Sequence, residues 1–224
     1  MSIHTPITYQ SIKELPEVVT YIKRADRTLK AIGYTEHGLA HVTRVATVAG
    51  QLLDDLGFPE RDGELARIAG FMHDIGNVIN RTDHAQSGAI MAFRILDKLG
   101  MSPEEVSTVI SAIGHHDDHT AFPVNEVAAA IILADKSDVR RTRVRKASQV
   151  AHDIHDRVNY AVTANGTKLL KEEKKFVLNL TIDTEISPAI EYFEIFLQRM
   201  VLCRNAAQTL GLHFELVING AVLS

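Results

Sequence analysis

His73 and Asp74 stand side by side in the stretch Phe71-Met72-His73-Asp74-Ile75-Gly76, at the end of an apolar helical run. Neighbours on a helix point about 100° apart, so the two cannot share one face. An imidazole and a carboxylate in succession can still converge on one metal ion from two sides. His41 lies upstream, His84, His115 and His116 downstream, and Asp135 further on, each within its own helical pattern. His41, His73, Asp74 and Asp135 offer mixed nitrogen and oxygen donors. Such a set suits divalent Fe, Mn, Zn, Ni or Co better than Ca²⁺, and it does not choose among them. The expectation is a metal site in the middle of a helical bundle.

Other chemistry-bearing residues cluster near these in sequence. His37 lies one turn before His41 and is a candidate outer group, substrate contact or further ligand. Arg44 shares that side, for an internal salt bridge or a phosphate contact. Asp138 follows Asp135 by one turn and is a candidate to orient a ligating histidine. Lys136, Arg140, Arg141, Arg143, Arg145 and Lys146 form a cationic stretch in an acidic chain. It reads either as a solvated helix end or as a seat for an anionic substrate. His152, His155 and His213 are expected to be surface or structural, and Cys203 a small buried hydrophobe.

Helices must position these groups. Periodicity predicts helices over 11–31, 38–56, 64–75, 84–99, 103–116 and 125–139, the last strongly apolar and therefore central. Gly57, Gly76 and Gly100 mark ends, and Ser102-Pro103-Glu104-Glu105 marks a start. After about residue 145 the pattern changes. Residues 147–162 still read as helix, Asn165-Gly166 as a turn, and 176–183 as a strand with period two. Pro188 opens a helix to about residue 210, and 214–218 reads as a second strand. Two strands alone are marginal, so they should pair with each other and lean on that helix. The expected fold is mainly α: an N-terminal helix (1–34), a metal-binding helical domain (35–146) and a small C-terminal α+β appendage (147–224).

Composition sets the outer bounds. The chain has 224 residues, 46% apolar and 23% charged, with a formal net charge of −4. That speaks against a binder of nucleic-acid polymers or membrane surfaces. The single cysteine excludes an internal disulfide framework, and with no signal-like N-terminus the expectation is a cytoplasmic protein. A homodimer formed through edge strands is a further expectation.

The succession His41-Val42-Thr43-Arg44-Val45, His73-Asp74-Ile75-Gly76 and Ala134-Asp135 resembles the H…HD…D signature of the HD superfamily of metal-dependent phosphohydrolases. The resemblance implies a first metal on His41, His73, Asp74 and Asp135. His84-Ala85-Gln86-Ser87-Gly88-Ala89 and Ala112-Ile113-Gly114-His115-His116-Asp117 look like the blocks that bind a second ion in the HD-GYP-like and diadenosine tetraphosphate hydrolase-like branches. Asp74 would then bridge, and His84, His115 and His116 would complete the second site. The implied reaction is hydrolysis of a phosphate mono- or diester, nucleotide-like, by a metal-bound hydroxide, with Lys136 or Arg140 on the phosphate. Two departures stand out. Many relatives carry a phosphate-binding lysine where this chain has Asn77, for which Arg81 is a candidate substitute. The Gly-Tyr-Pro motif is replaced by Asp117-Asp118-His119-Thr120-Ala121-Phe122-Pro123, which fits cyclic-di-GMP hydrolysis less well. Asp117 and Asp118 are candidate proton donors to a leaving group. The alternatives are a catalytically weak module that binds a phosphorylated ligand for regulation and, more weakly, a di-iron oxygenase.

Overall fold

The computed structural model of the chain describes residues 6–118, 120–145 and 153–223. The expectations for Lys146 and His152, and the start of the helix expected from residue 147, fall outside the described residues. The helix expected over 11–31 is split into α1 (Tyr9–Glu14) and α2 (Pro16–Ala31). The break falls on Leu15, whose backbone is extended (φ −72°, ψ 115°). Proline at the next position disfavours the helical conformation there.

The central bundle follows. Helix α3 (Leu39–Leu56) ends on Gly57 in the left-handed region (φ 82°). Helix α4 (Glu60–Met72) begins directly after Pro59, earlier than periodicity alone predicts, and gives way to a 3-10 turn, Ile75–Val78. Then come α5 (His84–Lys98), α6 (Pro103–Gly114), capped by the Ser102 hydroxyl, and α7 (Glu126–Lys136), capped by Asn125. Every residue from Val127 to Leu133 is fully buried, so α7 is the central helix as expected. Helices α3 and α4 lie backbone against backbone at Gly70: a Cβ there would sit 2.9 Å from the Ala46 Cα. That approach brings the ends of α3 and α4 that carry histidines to the same place.

The C-terminal unit has helix α8 (Ile154–Ala161), strands β1 (Val162–Leu170) and β2 (Lys175–Ile182), helix α9 (Ala189–Thr209), and strands β3 (His213–Ile218) and β4 (Ala221–Val222). The sheet order is β1-β2-β3-β4, with β1 antiparallel to β2 and β2 parallel to β3. The two expected strands do pair, with α9 as the crossover that a parallel pair requires. Asn165-Gly166, expected as a turn, instead lies inside β1. The true hairpin turn is at residues 171–174, where Lys174 takes a positive φ of 51°. Helix α9 packs on both α7 and β3, so the appendage leans directly on the helix that carries Asp135. Among the described residues, no helix is long and apolar enough to cross a membrane.

Candidate metal centre

The donors sit at helix ends. His41 is in the first turn of α3, His73 caps the end of α4, and Asp74 follows it. His84 opens α5, His116 lies just beyond α6, and Asp135 is in the last turn of α7. His41, His73, His84 and His116 are each at most 1% exposed and Asp74 4%. Because α4 ends at His73, the chain turns there and Asp74 joins its neighbour at one centre. Gly76 makes that turn possible: a Cβ on it would fall 2.0 Å from the His84 carbonyl oxygen. The 3-10 turn is thus pressed against α5, which carries His84 to Asp74.

Each imidazole has its Nδ1 committed to an oxygen. His73 Nδ1 lies 2.8 Å from the Gly70 carbonyl, His84 Nδ1 3.0 Å from that of Arg81, and His116 Nδ1 2.6 Å from that of Ile113. Gly70 and Ile113 belong to last helical turns, whose carbonyls lack helical partners. His41 Nδ1 instead meets Asp138 Oδ2 at 2.8 Å. These contacts put the ring hydrogen on Nδ1 and leave the Nε2 lone pair for a ligand. Nε2 of His41, Nε2 of His73 and Oδ2 of Asp74 have no hydrogen-bond partner among the described residues. Buried polar atoms without partners are costly, and a cation would satisfy all of them together.

The carboxylate of Asp74 divides the donors into two sets. Its Oδ2 faces His73 Nε2 at 3.2 Å and His41 Nε2 at 3.7 Å. Its Oδ1 faces His84 Nε2 at 3.5 Å and His116 Nε2 at 3.9 Å. Asp135 Oδ1 closes the first set, 3.2 Å from His41 Nε2. Donors about 2.1 Å from a common ion are separated by about 3.0–3.4 Å, so these spacings are close to those of a loaded site. His41, His73 and Asp74 form one group of converging donors and Asp74, His84 and His116 another, while His73, His116 and Asp135 form a third that links the two.

Electrostatics agree with that division. His84 Nε2 and His116 Nε2 are 3.2 Å apart. Burial pulls both pKa values below the ordinary imidazole value, so both rings are neutral and their lone pairs face each other. A positive charge between or beside them relieves that repulsion. Arg81 supplies one: its Nη1 lies 3.2 Å from His84 Nε2. Burial also opposes the charging of His73, but Asp74 and Asp135 outweigh it and hold its pKa above the usual value. Burial penalises the Asp74 carboxylate, yet His73, His37 and His84 carry its pKa well below the usual range.

Several expected roles change. The adjacent histidines part: His116 enters the centre, whereas His115 turns its Nδ1 to the Ser111 carbonyl and joins neither donor group. Arg140 is held by Asp138 (Nη2 to Oδ2 3.0 Å) and does not line the central cavity, so it is not positioned to take phosphate. Lys136 does line it, but its Nζ is already shared between Asp135 Oδ2 and Asp118 Oδ1, each at 2.8 Å. Asp118 is consumed by Lys136 and Arg199, while Asp117 faces the centre, 3.8 Å from His84 Nε2. Asn77 is fully buried and donates to Asp74 Oδ1 at 2.8 Å, orienting that carboxylate. Arg44 takes the salt-bridge option, with Nε 3.1 Å from Asp138 Oδ1. His37 lines the cavity with its Nδ1 on the Thr35 carbonyl at 2.8 Å. Arg143 and Arg199 also line the cavity. Arg199 comes from α9, far from any motif, and no sequence signal pointed to it.

Residues 38–140 match the family described as the HD domain. The chain is 31% identical over 169 residues to ribonuclease Y of Aster yellows witches'-broom phytoplasma, an alignment covering 70% of this chain and 30% of that protein. It is 36% identical over 115 residues to ribonuclease Y of Deinococcus radiodurans, covering 48% and 18%. The chain spans less than a third of the length of these curated relatives. A crystal structure of a predicted HD superfamily hydrolase from an uncultured Thermotogales bacterium is similar at 26% identity and a TM-score of 0.45, covering 56% of this chain and 68% of that one.

Proposed function

Taking residues 38–140 as an HD domain, we propose that the chain is a metal-dependent phosphohydrolase that cleaves a phosphate mono- or diester of a nucleotide-like compound. The observation that carries this reading is Asp74, whose two oxygens face two separate sets of histidine nitrogens. His41, His73, Asp74 and Asp135 would hold one divalent ion, and Asp74, His84 and His116 a second. Ions bound there supply Lewis acidity toward phosphate oxygens and lower the pKa of coordinated water.

The protein's own groups do the rest. Asn77 fixes the rotation of Asp74. Asp138 fixes His41. Arg199 and Arg81 provide guanidinium forks at the cavity wall, suited to paired phosphate oxygens. Lys136 keeps its proton although buried, because Asp135 and Asp118 outweigh the cost of burial. Its charge therefore faces the region where phosphate charge builds up. Asp117 is the group positioned to pass a proton to the leaving oxygen.

Purified protein loaded with Mn²⁺, Fe²⁺, Co²⁺, Ni²⁺ or Zn²⁺ in turn is tested on p-nitrophenyl phosphate, bis-p-nitrophenyl phosphate and a nucleotide panel. Release of nitrophenol or phosphate that vanishes in Asp74→Ala supports the reading. Ligand binding without turnover across the panel favours a regulatory module, and metal-dependent O₂ consumption favours an oxygenase. Similarity to proteins named ribonuclease Y supports a second reading, an RNA phosphodiester as substrate. A short RNA oligonucleotide included in the panel tests it.

A further inference from the structure

A second cavity of about 330 Å³ adjoins the metal centre and shares His37, Arg81, Arg143 and Arg199 with it. Its remaining wall comes from outside the matched domain: Tyr34 before α3, Asp156 and Asn159 on α8, and Phe196 on α9. Its size is at the lower end of the roughly 300–1,000 Å³ that small-ligand sites occupy.

The wall is polarised. The end shared with the metal centre carries guanidinium donors. Two of them are flat platforms backed by rings: Arg81 lies 5.3 Å from the Tyr34 ring centre, and Arg199 4.6 Å from that of Phe196. The opposite end carries acceptors. Asp156 is 7% exposed and lies near the charges of Asp153, His155 and Arg145, but among the described residues its carboxylate makes no hydrogen bond or close ion pair. Asn159, also 7% exposed, commits its Nδ2 to the His155 carbonyl and leaves its side-chain oxygen to the cavity. Asp153, the other acid of that wall, is used to cap α8. A carboxylate that lines a cavity without a hydrogen bond or ion pair of its own is open to a ligand's donor.

We infer that this cavity is the specificity pocket of the phosphohydrolase proposed above, and that it takes the nucleoside part of a nucleoside monophosphate. The phosphate lies toward the metals, the planar base stacks on an arginine platform, and a hydroxyl or amino group of the nucleoside donates to Asp156. Arginine planes stack on bases and carboxylates accept from nucleoside donors, so each feature of the wall has a counterpart on one ligand. A simple aryl phosphate fills the first requirement but has no donor for the last. Asp156 is thus a specificity residue, and Tyr34 and Phe196 position the platforms.

The test compares 5′-nucleoside monophosphates with p-nitrophenyl phosphate on metal-loaded protein, and measures binding of non-cleavable methylenephosphonate analogues of the nucleotides by calorimetry. The wild-type protein should favour at least one nucleotide over the aryl phosphate in kcat/KM by about tenfold or more, the scale of one hydrogen bond to a charged group. In Asp156→Asn that ratio should fall about tenfold, mainly through KM, and the matching phosphonate should bind about tenfold more weakly. Wild-type indifference between nucleotide and aryl phosphate would overturn the inference while leaving the hydrolase reading intact. So would an Asp156→Asn ratio within twofold of wild type. If wild type cleaves nothing, the hydrolase reading fails, and the phosphonate affinities of wild type and Asp156→Asn decide the pocket by themselves. If Asp156→Asn does not fold, the wild-type preference and wild-type phosphonate binding decide.

Discussion

Asp138 Oδ2 accepts from His41 Nδ1 at 2.8 Å across 97 residues of chain, and the Asp138 side chain is completely buried. The same carboxylate also gathers Arg44, Arg140 and Arg143. Its pKa is far below the ordinary carboxylate range: burial opposes ionisation, but hydrogen bonds from His41 and Arg140 outweigh it. One anion therefore both orients a ligand and serves as the shared counter-charge of three guanidinium groups behind it.

Asp138→Asn keeps the shape and an acceptor but loses the charge. Outer groups of this kind are worth roughly 10–100-fold in metal affinity, and a loss of that size is expected in chelator competition. Asp138→Ala also removes the carboxylate facing the buried Arg143 guanidinium, so urea unfolding should show a stability loss of about 3 kcal/mol. Unchanged affinity in both variants would remove Asp138 from the site.

Arg81 Nη1 lies 3.2 Å from the same His84 Nε2 that a second ion would use. A bound ion and this guanidinium contact compete for one lone pair. Arg81→Ala should therefore tighten the second, weaker binding step in a calorimetric titration while lowering kcat for phosphate substrates. Weaker binding of the second ion in Arg81→Ala would contradict the competition.

The raised pKa of His73 makes metal binding compete with a proton. The metal-free ring gains its proton as the pH drops through that pKa, so affinity should fall with pH in that range and level off above it. Calorimetry in buffers of different ionisation enthalpy should find that proton release on metal binding grows as the pH is lowered. His84 and His116 have lowered pKa values and should contribute little to it.

Cys203 is fully buried on α9, and burial pushes its thiol pKa up to about 12. Only the thiolate reacts, so a disulfide reagent at about pH 8 should find no thiol in the native protein and one after denaturation. Rapid native labelling would show that α9 leaves α7 readily.

The convergence of histidines and aspartates was legible because each falls at a helix end that the sequence announces with a glycine, a cap or a change of period. Of the adjacent pair, both expected as ligands, only His116 reaches the centre, because the chain leaves α6 at His115. The partners that complete the site were not legible. Asn77, noted in the sequence only as a departure for which Arg81 is the candidate substitute, buries its amide against Asp74, a contact created by the 3-10 turn. Arg199 and Asp156 reach the cavity only through the packing of α8 and α9, which no local pattern encodes. Strand β1 was missed because its polar, half-exposed sequence lacks alternation and its hairpin turns on lysines and glutamates, without glycine or proline. The helix break at Leu15 is encoded locally by Pro16, which disfavours helical backbone at the residue before it.

Elemental analysis with metal titration on purified, chelator-stripped protein tests the convergence of these helix ends most directly. Two divalent ions per chain are expected in wild type, one in His84→Ala, and neither tightly held in Asp74→Ala. A wild-type protein that takes up no ion, or whose uptake is indifferent to Asp74, would contradict the account.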